Sequence, residues 1–167
     1  MSPCQGEGRG FDSLRPLRKM KITSSAFGNN AIIPSKYTCY SEENINPPLS
    51  FEAIPKEAKS LVLIMDDPDA VSGVWVHWVI FNIPPDTQKI EENSTPPGIE
   101  GTTSFGKVGY GGPCPPNVPP HRYFFKLYAL DTMLENNPAF TKEDLEKMMQ
   151  EHVLESCKLI GLFQKPQ

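Results

Sequence analysis

Between residues 34 and 120 the apolar positions fall in short runs rich in Val, Ile, Phe and Trp, parted by prolines and small polar residues. No run there keeps a helical spacing over a helix's length. Short β-branched and aromatic runs bounded by turn residues predict strands joined by irregular loops. The expected strands span residues 20–24, 49–53, 60–65, 75–83, 122–130 and 158–164. Residues 75–81 are apolar on both alternating faces, which predicts a central strand covered on both sides. Period-two alternation puts His77 on one face with Trp75, Val79 and Phe81.

One helix is signalled after Pro138. Thr141 with Asp144 three positions on approximates a capping box, and Glu143 adds an acidic group to the first turn. Leu145, Met148, Met149, His152 and Val153 then recur at helical spacing, which reads as a core-facing stripe. His152 is expected to pack on that helix face. The class is therefore mainly β, with one or two peripheral helices and no internal repeat. Residues 84–120 make a long loop-rich stretch, and such stretches within compact domains are usually functional.

Composition sharpens this picture. The 167 residues suit one domain, here 20–167, preceded by a flexible extension over 1–19. Eighteen prolines against twelve glycines stay below the level of a low-complexity chain, so the prolines punctuate a fold. The net charge is −4; residues 1–19 hold four basic and two acidic groups, which leaves the rest at −6. Without a basic stripe to replace phosphate counterions, no nucleic-acid partner is expected. The longest apolar run, 61–65, is far short of a membrane span. No secretory h-region opens the chain. Cys4, Cys39, Cys114 and Cys157 show no Cys-x-x-Cys spacing, so a cytoplasmic location with reduced thiols is the expectation.

Three segments carry chemistry. Asp66-Asp67-Pro68-Asp69 places carboxylates where a strand gives way to a loop. Next, His77 sits in an apolar strand, where a buried imidazole must hydrogen-bond and a carboxylate such as Asp67 could orient it. The third runs from Gly109 through Gly111, Gly112, Pro113, Cys114 and Pro116 to His121, Arg122 and Tyr123. Glycines allow positive φ, so consecutive amides could form an anion nest, and the prolines stiffen the loop. Imidazole and phenol donors beside such amides suit a phosphate group. No Gly-x-Ser-x-Gly elbow or P-loop is present. A metal held by His77, His121 and Asp67 or Asp69 is an alternative. A thiol nucleophile at Cys114 is another.

Taken in order, Asp-Pro-Asp-Ala (67–70), Trp-Val-His-Trp-Val-Ile-Phe-Asn-Ile-Pro (75–84), Gly-Tyr-Gly-Gly-Pro-Cys-Pro-Pro (109–116) and His-Arg-Tyr-Phe-Phe-Lys-Leu-Tyr-Ala-Leu-Asp (121–131) resemble the phosphatidylethanolamine-binding protein family, also called Raf kinase inhibitor-like. The likeness is to its short prokaryotic branch and runs from about residue 20 to the end. It implies an antiparallel β-sandwich with an anion pocket at one edge. The family's pocket residues carry over to Asp67, Asp69, His77, Gly112, Pro113, His121 and Tyr123, with Trp75 on the wall.

Val71 stands where the family has a proline, and the further C-terminal helix of eukaryotic members is missing. The function expected is a non-enzymatic binding or regulatory protein for phosphate-type anions, such as a phospholipid head group or a phosphorylated or acidic side chain of a protein partner. In it His77, His121 and Tyr123 donate, the Gly111 and Gly112 amides assist, and Asp67 and Asp69 orient the donors. The resemblance also raises kinase or protease modulation and a homodimer. No cofactor is expected. The alternative is a metal-dependent or histidine-based hydrolase using the same pocket.

Overall fold

The computed structural model describes residues 18–116 and 119–167; the expected N-terminal extension lies almost wholly outside them. In chain order come β1 (Lys21–Thr23), β2 (Ala31–Ile32), a 3-10 turn (Ser35–Tyr37), β3 (Leu49–Glu52), β4 (Ser60–Asp67), β5 (Trp75–Ile83), β6 (Lys89–Ile90) and β7 (Ile99–Glu100). There follow β8 (His121–Leu130), the helix α1 (Lys142–Met149) and β9 (Val153–Phe163). A three-stranded sheet, β1-β3-β6, faces a six-stranded sheet ordered β2-β9-β8-β4-β5-β7. Their facing sides, with Ile22, Phe51 and Ile90 opposite Leu63, Trp78 and Phe125, enclose the main core. The fold is mainly β, as the pattern predicts. Pairing is antiparallel except where β2 runs parallel to β9.

The central strands are β8 and β4, which pair in unbroken register from Ser60–Leu130 to Asp66–Phe124. Strand β5 is covered on both faces, as expected, but it is next to the edge, beside the two-residue β7. Its outer face is covered by α1, whose Leu145 and Met149 pack with Val62, Ile64, Val79 and Phe81. The helix begins with the predicted capping box: Thr141 Oγ1 accepts from the Asp144 amide, and the Asp144 carboxylate accepts from the Thr141 amide at 2.9 Å. The core-facing stripe stops at Met149. His152 instead pairs with Asp131 at 2.8 Å on the surface, and Val153 opens β9, five residues earlier than expected. The stripe's apparent last turn therefore belongs to a strand.

Two irregularities in β5 decide where side chains point. Leu61 faces Ile83 while Leu63 faces Ile80, which leaves one surplus residue in β5; Asn82, at φ 54°, lies within it. Met65 faces Trp78 while Asp66 faces Val76, so His77 is itself a surplus residue, a β-bulge. A bulge breaks the period of two and re-aims one side chain. Val76, Val79 and Phe81 pack toward α1, whereas His77 turns with Trp78 to the inner side. The expected shared face of His77 with Val79 and Phe81 is thus corrected. Its shared side with Trp75 stands.

Neighbouring carboxylates at the end of β4 go opposite ways. Asp66, buried, meets Lys142 at 2.8 Å and Lys126 at 3.1 Å on the helix side, and its Oδ1 has no partner among the described residues. Asp67 points to the other side of the sheet. Both lie within the strand, which runs two residues beyond its expected end.

Candidate functional site

Four elements meet at one end of the large sheet. His77 comes from the β5 bulge, His121 from the first position of β8, and Asp67 from the last of β4. The loop before β8 closes over them. His121 Nδ1 lies 2.7 Å from Asp67 Oδ2, and the other oxygen of Asp67 accepts from the Asp69 amide at 2.8 Å. His77 Nδ1 lies 2.7 Å from the Gly111 carbonyl. A carbonyl only accepts, so Nδ1 of His77 carries the hydrogen. Each ring is thereby held by Nδ1, leaving Nε2 on its far side with no partner among the described residues. Both imidazoles are buried. Burial holds the His77 ring below its ordinary pKa, against the opposing pull of its bond to Gly111 and of Asp67.

Asp69 stands apart. Its carboxylate accepts from the Arg122 amide, Nε and Nη2, all at 2.9 Å, and those bonds hold it below the usual carboxylate range. This clamp ties the loop after β4 to β8. Tyr123 lies beneath the two imidazoles, stacked at 6.4 Å on His121 and edge-on to His77 at 5.3 Å. It is fully buried, and its hydroxyl meets no hydrogen-bond partner among the described residues. Burial, and then the Asp67 carboxylate nearby, push its phenol well upward. Tyr123 packs against both rings and is not among the residues that line the cavity.

The glycine loop also departs from expectation. The Gly111 amide donates to the His77 carbonyl and the Gly112 amide to Asn44 Oδ1, both at 3.0 Å. Neither glycine has a positive φ, and both amides are already engaged, so no anion nest forms there. The glycines are required by close approach. A Cβ on Gly111 would enter the Phe105 ring, and one on Gly112 would overlap the Tyr37 carbonyl and Asn44 Oδ1. Gly112→Ala is therefore expected to cost at least about 2 kcal/mol, because the atoms it meets are backbone or already bonded. A urea unfolding curve measures this. An unchanged midpoint would show that the loop yields.

Pro113 is buried, and its carbonyl takes the Cys39 amide. Beside that bond Cys39 and Cys114 form a disulfide, Cα to Cα 5.3 Å, joining residues 75 apart in sequence. The expectation of four reduced thiols is corrected, and Cys114 so paired is no nucleophile. Only three-dimensional packing brings the two together.

The result is a cavity of about 370 Å³. Asp67, His77 and His121 supply its polar base; Trp75, Phe105, Val71, Pro115 and Pro116 line apolar walls, together with Cys114 and Ser72. Phe105 sits edge-on to both Trp75 and His77, at 5.5 and 5.4 Å. Of the residues named from sequence, Asp67, Trp75, His77 and His121 line the cavity, and Asp69, Gly111, Gly112, Pro113 and Tyr123 stand behind it. Among the described residues no three His, Cys, Asp or Glu side chains gather as a metal-ligand set.

The sequence model described as phosphatidylethanolamine-binding protein matches residues 23–164. The chain belongs to the phosphatidylethanolamine-binding protein family. A UPF0098 protein of Methanothermobacter thermautotrophicus is 53% identical over 152 residues, covering 87% of this chain and 99% of its own. One from Pyrococcus abyssi is 45% identical, covering 88% and 86%. Among solved structures, a homologue of the family from Chlamydia trachomatis superposes with a TM-score of 0.85 at 40% identity, over 89% of this chain and 99% of that one. E. coli YbcL, described as a new member of the mammalian family, superposes at 0.82 over 89% and 100%; at 24% identity it shows the fold alone.

The motifs that carry the family likeness have distinct physical jobs here. Asp-Pro-Asp-Ala supplies the His121 partner and the Arg122 clamp. Trp-Val-His-Trp supplies the bulge that turns an imidazole inward. Phe105, part of this cavity's wall, gives no signal in the sequence because it reaches in from a loop with no alternation. Among the described residues no helix is long and apolar enough to cross a membrane.

Proposed function

We infer that this chain has a binding or regulatory role, which its family membership supports in general. We propose that the cavity takes a phosphate-type anion carried on an organic group, with the two Nε2 atoms as the donors that recognise it. The observation behind this is the matched anchoring of the rings: Nδ1 of each is bound to a protein acceptor, Nε2 has no partner among the described residues, and both rings line the cavity. Asp67 lines the base, but both its oxygens already accept hydrogen bonds, so it orients His121 and does not face the anion bare. The apolar walls suit an ester's organic part better than free inorganic phosphate. The phosphate sits on a small molecule, such as a phospholipid head group, or on a phosphorylated side chain of a partner protein. Catalysis, cofactors and metals have no part in this function, and kinase or protease modulation and a homodimer belong to the same proposal.

Titration with O-phosphoethanolamine and inorganic phosphate, followed by NMR at residues 67, 77 and 121, tests it. Unmoved resonances would overturn the proposal, and so would release of phosphate from the ester.

Protonation supplies a second test. Because burial depresses the His77 pKa below 6.5, the folded protein holds this ring neutral where the unfolded chain would protonate it. Its contribution to stability is complete above 6.5 and is lost as pH falls from there through the depressed value. A bound dianion favours the charged ring and reverses the shift. Binding at pH 7 is therefore expected to take up protons. Calorimetry in two phosphate-free buffers of different ionisation heat measures the uptake, and identical heats would exclude His77 as the counter-charge.

A further inference from the structure

The cavity wall contains a bond of another kind. Cys114 is exposed and lines the cavity, and Cys39 behind it is half-buried. The two segments that the disulfide joins are also tied by hydrogen bonds. The Cys39 amide donates to the Pro113 carbonyl at 3.1 Å, the Gly112 amide to Asn44 Oδ1 at 3.0 Å, and the Tyr110 hydroxyl to the Tyr37 carbonyl at 2.7 Å. The Tyr40 hydroxyl also donates to the Pro115 carbonyl. With so many ties already present, the crossing does not depend on the disulfide alone. What the covalent bond adds is a fixed wall at Cys114-Pro115-Pro116, opening directly from the loop whose Gly111 carbonyl holds His77.

We propose that Cys114 is a site of reversible thiol–disulfide exchange with a low-molecular-weight thiol entering from the cavity, and that the exchange controls affinity for the anion. A thiolate attacks Cys114 Sγ; a mixed disulfide forms, the Cys39–Cys114 bond breaks, and Cys39 leaves as a thiolate that takes a proton from water. A second thiol attacks the sulfur of the first and releases Cys114 as a thiol, so two thiols are oxidised to their own disulfide while the protein bond is reduced. Attack requires access, and access is present at Cys114. The mixed disulfide places its adduct against Pro115 and Pro116, in the space an ester's organic part would occupy. The fully reduced form frees the wall that confines it. Both forms bind the anion more weakly than the disulfide form.

The coupling to affinity rests on the anion-binding function proposed above; the exchange itself does not. Protein in the disulfide form is treated with glutathione or dithiothreitol and read by intact mass and peptide mapping, with no anion present. The same samples are titrated with O-phosphoethanolamine by NMR. A glutathione adduct on Cys114 and not on Cys39 is expected, together with an affinity at least about fivefold lower after reduction. By reciprocity the ester must disfavour reduction by that same factor at equilibrium. Cys39→Ser, which leaves Cys114 a free thiol, should bind like the reduced protein. It also guards against a double variant that fails to fold.

Equal affinity in both oxidation states overturns the coupling. A disulfide that resists both thiols under native conditions, or an adduct confined to Cys39, overturns the exchange site. If the ester binds neither form, phosphate recognition is wrong and the coupling falls with it, while the mass readout still decides the exchange.

Discussion

His121→Ala is expected to weaken O-phosphoethanolamine binding by at least about tenfold, the lower bound for losing a hydrogen bond to a charged group. Two effects act in the same direction. The Nε2 donor disappears from the cavity, and Asp67 loses the imidazole that now lies 2.7 Å from its Oδ2. A buried carboxylate left without that partner repels the anion that His121 would have received. His121→Gln separates the two: an amide restores a neutral donor but not a protonatable one, so it should recover part of the affinity and none of the proton uptake. NMR titration of both variants gives the comparison. If His121→Ala binds as the parent does, the anion does not sit between the histidines.

Trp78→Ala carries the largest expected cost in stability. Trp78 is 1% exposed and heads the fully buried side chains by volume. Truncating a buried tryptophan costs about 3–5 kcal/mol through lost transfer energy and the void left behind. A small domain's total stability is commonly about 5–15 kcal/mol, so much of the margin goes with it. The indole also donates to Glu100 at 2.8 Å and stands edge-on to Tyr110 at 5.2 Å. Tyr110 precedes the glycine whose carbonyl holds His77, so the cavity should loosen before the domain unfolds. Urea unfolding measures the first effect. The second appears as line broadening at His77 below the unfolding midpoint, and Trp78→Phe should soften both. A loss under about 1 kcal/mol would mean that the core refills the space.

Much of this was legible in the sequence because it rests on local signals. The β-branched and aromatic runs over residues 75–83 and 122–130 locate β5 and β8, and Thr141 with Asp144 locates the start of α1, since each depends on neighbours in the chain. Asp67, Trp75, His77 and His121 stand out as polar or aromatic groups in or beside apolar strands. Non-local features were not legible. The two-residue strands β2, β6 and β7 are too short to show a period, and they exist because longer strands offer them partners. The bulge at His77 is set by register against β4, so alternation within β5 alone assigns the wrong companions. Gly111 and Gly112 suggested an anion nest, whereas three-dimensional crowding by Phe105 and Tyr37 explains them. The Cys39–Cys114 bond spans 75 residues, and no spacing rule reaches that far.

The divergence of Asp66 and Asp67 has a consequence for how this architecture can change. One carboxylate anchors lysines from β8 and from the start of α1; the next, a residue later, orients the imidazole on the far side of the sheet. The strand separates two sets of obligations that share no side chain. Insertions, losses or new contacts in the helical layer can accumulate around Asp66 without disturbing the His121 geometry. The cavity can likewise acquire new preferences through Val71, Phe105 or the proline loop while the helix stays seated. Lineages built on this frame are free to vary one side at a time.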